Sequence, residues 1–218
     1  MTVDLVVKNG KIVSTEGIFS GGVAIDEGKI VSVSSNSCLL DADKTIDAGE
    51  NYIFPGIIDP HVHLGIYQGA ADGTGEGVEQ GARTESIAAA HGGVTAMSHF
   101  IAVERSYNEV IPEVQATIEA NSMIDVAIIG ILHNMNQVEE IEEYVKKGVT
   151  SYKHFLNRPE LAKYLMHPDD GQLLYIWKKL RDVGGLPMAH CENFEIIQPI
   201  AESIKSSGKE TYPGIWND

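Results

Sequence analysis

Phe54-Pro55-Gly56-Ile57-Ile58-Asp59-Pro60-His61-Val62-His63 is an apolar strand ending in a His-x-His pair. Side chains two apart on a strand project from one face, so both imidazoles can reach a single ion. Zinc–nitrogen bonds of about 2.0–2.1 Å suit such a pair, and carboxylates commonly complete the shell of a catalytic site. Asp59 shares the face and offers an acceptor that can orient a ligand ring. By itself His-x-His also fits two histidines in a polar loop, so its place in the fold has to decide.

Downstream of Ile57, strands alternate with helical stretches, the pattern of a parallel sheet with crossover helices. Strand candidates are 57–63, 93–99, 125–132, 149–156 and 186–191, with helices near 78–91, 107–121, 136–147, 171–183 and 194–206. Val138, Ile141 and Val145 fall on one helical face before Gly148; Leu173, Leu174, Trp177 and Leu180 fall on another before Gly184-Gly185. Five consecutive β-α units predict a partial (β/α)8 TIM-type barrel over residues 55–218, since closure takes eight units and typically about 250 residues. His61 and His63 then close the first barrel strand at its C-terminal end, where active sites of this fold gather. That placement favours the metal reading.

Upstream, residues 1–54 predict a small β-sheet domain. Residues 3–7 and 11–13 flank Asn9-Gly10, a dipeptide suited to a tight hairpin turn. Further short apolar runs surround Glu27-Gly28-Lys29, so the whole reads as antiparallel.

The 218 residues carry 31 acidic against 16 basic side chains, a net charge of −15 that repels a phosphate backbone and argues against a nucleic-acid partner. Hydrophobic residues at 43% and charged residues at 22% are ordinary for a globular protein. Neither a secretion signal nor an apolar span of about 18 residues is visible, so no membrane association is expected. Cys38 and Cys191 lie far apart without CxxC spacing, which suits a reducing cytoplasm.

Gly56-Ile57-Ile58-Asp59-Pro60-His61-Val62-His63 resembles the opening metal motif of the amidohydrolase superfamily, in its dihydropyrimidinase, hydantoinase, allantoinase and dihydroorotase branch. Gly92-Gly93-Val94-Thr95, Ser151-Tyr152-Lys153 and His190-Cys191-Glu192-Asn193 match in order, so the resemblance spans nearly the whole chain and is nearest to dihydropyrimidinase- and hydantoinase-like hydrolases. It implies metal-dependent ring opening of a small cyclic amide to an N-carbamoyl acid, by a homo-oligomer of tetrameric type. It also implies two divalent ions, Zn2+ by preference, held by His61, His63, Lys153 and His190.

Lys153 shares the inward face of its strand with Ser151 and Phe155, and a barrel interior is a costly place for an ammonium. The resemblance makes it the catalytic, metal-bridging lysine in the form of a CO2-derived carbamate; a lysine snorkelling from a strand end is the alternative. The family's remaining ligands, a histidine and an aspartate that acts as general base, come from later strands. They are expected beyond Asp218, so the isolated chain is expected to be inactive. A family tyrosine five positions past the lysine is here replaced by Arg158, which can bind negative charge on a substrate or sit solvated in a loop. Rival readings are a dihydroorotase or allantoinase-type hydrolase and a non-catalytic, dihydropyrimidinase-related assembly protein. His99 and His133 also lie near strand ends, facing the substrate or serving as polar residues of the barrel mouth. His91 caps a helix, and His154 points away from the Lys153 face.

Overall fold

Asn9 sets the course of the first strand. In the computed structural model, which describes residues 2–156 and 165–208 apart from the Phe194 side chain, Asn9 takes a left-handed φ of 57°. It does so inside one continuous strand, β1 (Thr2–Ser14), and not at the tip of a hairpin. Val7 pairs with Val23 and Gly10 with Gly21, so one extra residue is absorbed as a bulge. Its backbone N–H donates to Asn36 Oδ1 and its amide to Asp47 Oδ2, both at 2.9 Å, contacts that hold the bulge from across the sheet.

The hairpin to β2 (Gly17–Asp26) turns at Thr15-Glu16, six residues beyond Asn9-Gly10, and a second leads to β3 (Lys29–Ser34). Glu27 (φ 49°) and Gly28 (φ 72°) supply the two positive φ angles of that tight turn. The sheet is mixed, because β4 (Asp41–Asp47) and β5 (Tyr52–Ile53) both run parallel to β1. Val3, Val6 and Ala24 form its core against Leu39, Leu40 and Ala42. These elements make up one compact unit, Met1–Gly56.

The second unit, Ile57–Asp218, repeats strand and helix. Its elements are β6 (Ile57–Val62), α1 (Glu76–His91), β7 (Val94–Ile101), α2 (Tyr107–Asn121), β8 (Asp125–Ile131), α3 (Met135–Glu139) and α4 (Ile141–Lys146). They continue with β9 (Ser151–Phe155), α5 (Asp170–Asp182), β10 (Leu186–His190) and α6 (Phe194–Ser206). The strands are parallel in the order β10-β9-β8-β7-β6, a curled half-barrel of consecutive β-α units.

The helices cover the outer face of this sheet. Met97, Ile101, Ile128 and Tyr152 face the helices and join Val110, Ile111, Val114, Ile141, Ile176 and Leu180 in the larger core. Phe100, Ile129, Ile131 and Phe155 form a smaller cluster on the inner face. On α5 the buried stripe is turned from the sequence expectation: Ile176 and Leu180 are buried, Trp177 packs at the margin and Leu174 is 56% exposed. The single helix expected near 136–147 breaks at Glu140. Among the described residues no helix is long and apolar enough to cross a membrane.

Candidate metal centre

The ladder between β6 and β7 is interrupted where it matters. Asp59 pairs with Met97, and pairing resumes only at Val62 opposite His99. Pro60 has no N–H to donate, and the His61 N–H is taken by Asp59 Oδ1 at 3.1 Å. Asp59 thus bonds the backbone of a candidate ligand, not its ring, while its charge favours protonation of His61.

The His61 and His63 rings come together with centroids 5.4 Å apart. Both rest on Phe100, at 4.5 Å for His61 and 4.9 Å for His63, the latter nearly parallel at 19°. Lys153 reaches the same ring from β9: its Nζ is 3.3 Å from His61 Nε2 and 4.8 Å from the centroids of Phe100 and Phe155. Only 7% of Lys153 is exposed. His190, the last residue of β10, stacks on Phe155 at 5.2 Å and has Nε2 3.3 Å from Glu192 Oε2. Although β6 and β10 are the two outer strands, His61, Lys153 and His190 line one cleft of about 450 Å³ with Phe100 and Met188, which shows how far the sheet curls.

The electrostatics favour neutral imidazoles. Burial first, then the Lys153 charge, lowers the pKa of both, with His63 pushed down to about 4. A neutral ring is the form that ligates a metal. Among the described residues no three His, Cys, Asp or Glu side chains converge closely enough to hold an ion; the third member of the tight group is the lysine.

Other sequence candidates lie elsewhere. His99 is fully buried and faces the helix side instead of the cleft. His133 sits half-buried beyond β8, with a pKa lowered chiefly by burial. His91 occupies the last turn of α1, and His154 is buried on the outer face of β9. Arg158 lies outside the described residues. Phe100, which carries both imidazoles and the lysine, went unnoticed in the sequence. The run Met97–Ile101 is buried on both faces, so its pattern hides which side each residue takes.

The small sheet followed by a parallel half-barrel is a fold shared with solved hydantoinases and dihydropyrimidinases. The chain's homologues include hydantoinases and allantoinases. It is 30% identical over 216 residues to a D-hydantoinase of Streptomyces coelicolor, covering 95% of this chain and 44% of that protein. It is 29% identical over 206 residues to an allantoinase of Desulfitobacterium hafniense, covering 91% and 43%. The fold superposes on an L-hydantoinase (dihydropyrimidinase) from Arthrobacter aurescens with a TM-score of 0.80 at 23% identity, over 98% of this chain and 46% of that one. The chain therefore spans less than half the length of these relatives. No protein-family model matches it.

Proposed function

We propose that His61, His63, Lys153 and His190 form part of the metal centre of a hydrolase that opens cyclic amides, of the hydantoinase or dihydropyrimidinase kind. The observation that carries this reading is the approach of Lys153 Nζ to His61 Nε2, 3.3 Å across 92 residues of sequence. An ammonium there repels a cation. A carbamate, formed when the amine lone pair attacks CO2 and one proton is lost, presents two anionic oxygens from the same buried position. With it the donor set becomes three imidazoles and a carboxylate-like bridge, which fits zinc.

Two divalent ions held there would supply Lewis acidity, polarising an amide carbonyl and acidifying water at neutral pH. The chain's own residues orient the donors they contribute. Phe100 and Phe155 hold the imidazoles and the lysine stem in place and keep bulk water from that side of the cleft, while neutral His61 and His63 present lone pairs. We place the whole protein as an oligomeric cytoplasmic enzyme that takes a small-molecule substrate.

Elemental analysis after expression with zinc tests the reading. Bound zinc, together with a 13C carbamate resonance from labelled CO2 that disappears in Lys153→Ala, is expected. Absence of both sinks it. An allantoinase-type substrate is the second reading, favoured by the 29% identity to that enzyme. Relative turnover of hydantoin, dihydrouracil and allantoin by the whole protein separates the two.

A further inference from the structure

We propose that His99 is a positioning residue for the His61–His63 pair, holding the turn by which the chain leaves His63. Its purpose rests on the metal-centre reading; its geometry does not. His99 has no exposed surface, yet both ring nitrogens are engaged. Nδ1 accepts the Leu64 N–H at 3.1 Å, and Nε2 lies 3.0 Å from the Gly73 carbonyl oxygen. Only the neutral tautomer with its proton on Nε2 serves both partners.

Strand pairing does not reach this turn, because the β6 ladder is interrupted between Asp59 and Val62 and its last pair is Val62 with His99. The end of β7 replaces it twice over: Phe100 lies under the two imidazoles, and His99 clamps the backbone just past them. Gly73 makes the clamp reachable. Its φ is 77°, and a Cβ there would stand 2.1 Å from the Phe100 carbonyl oxygen, so only glycine brings its own carbonyl to the His99 ring. Leu64 is itself fully buried, and its N–H without an acceptor would be a costly unpaired donor. A longer contact, Gly65 N–H to Glu85 Oε1 at 3.3 Å, anchors the next residue.

Two substitutions separate positioning from packing. His99→Asn puts an acceptor where Nδ1 stood and keeps the Leu64 bond. His99→Gln puts a donor where Nε2 stood, keeps the Gly73 bond and strands Leu64. Each loses one bond, so similar falls in Tm are expected. The ring-proton shifts of His61 and His63, displaced upfield by Phe100, should stay near wild type in H99N and move to unstacked values in H99Q, with zinc binding about tenfold weaker in H99Q alone. The same ring shifts in both variants overturn the proposal. So does a wild-type nitrogen spectrum in which the His99 proton sits on Nδ1, a measurement that needs no variant to fold. A wild-type chain that binds no zinc removes the metal-centre reading and leaves the ring shifts to judge His99.

Discussion

Phe100 carries the site in a way its polar neighbours do not. It is 2% exposed, lies within 5 Å of both imidazoles by ring centroid and sits under the Lys153 ammonium, so truncation removes packing and a platform together. Phe100→Ala should cost about 3–5 kcal/mol in urea unfolding, and Phe100→Leu clearly less, since Leu refills most of the space. Equal costs would show that volume at this site is unimportant. Tyr107 makes a second residue-scale test. It is fully buried, donates to the Ile101 carbonyl at 3.0 Å and also approaches the Ile131 carbonyl, tying the ends of β7 and β8 together. Tyr107→Phe should destabilise by about 1–3 kcal/mol, because the ring still fits and only the hydroxyl is lost. No loss would mean water replaces it. Neither residue carries a signal readable from local pattern, since an aromatic in an apolar run reads as generic core.

At the scale of elements, the break between α3 and α4 is the departure from periodic expectation with the clearest cause. Val138 and Ile141 are buried as their spacing demands, but Glu140 between them leaves helical geometry at φ −88°, ψ 0°. Its carboxylate accepts from the hydroxyls of Ser106, the N-cap of α2, and of Tyr144 on α4; the Tyr144 oxygen in turn accepts the Tyr107 N–H at 3.2 Å. Those hydrogen bonds, Ser106 first, hold the Glu140 carboxyl below the usual carboxylate range. A carboxyl with a depressed folded pKa stabilises the protein above its unfolded pKa and loses that contribution as pH falls through the folded value. Glu140→Gln should therefore cost about 1–2 kcal/mol near neutrality and progressively less on acidification below the carboxylate range. A mutant deficit that stays constant with pH would rule the clasp out. Helix existence was legible from apolar spacing; this break was not, because its cause lies on another helix 34 residues away.

At the scale of the whole molecule, metal and fold should be linked. If the cleft holds zinc in the native state alone, zinc at a hundredfold excess over Kd stabilises the chain by about 2.7 kcal/mol, read as a rise in Tm reversed by chelator. A Tm indifferent to zinc would count against the centre. The outer strands supply another test, since β6 and β10 each pair on one side only among the described residues and β6 exposes Ile58 at 68%. Such edges invite intermolecular pairing, so Ile58→Lys should reduce concentration-dependent light scattering.

The sequence by itself determined the order of strands and helices, the small sheet ahead of them and the chemistry offered at strand ends. Alternation, turn residues and His-x-His spacing are local properties of the chain. It misplaced the first hairpin, because Asn9 in a left-handed conformation serves a bulge as well as a turn, and contacts from Asn36 and Asp47 decide between them. The family resemblance already grouped Lys153 with His61; tertiary structure alone decided that Phe100 lies beneath the imidazoles and that His99 turns from the cleft to clamp Leu64. The physical reason is that strands buried on both faces read as unbroken apolar runs. Which face becomes the cleft is then set by the curl of the sheet and by partners distant in sequence.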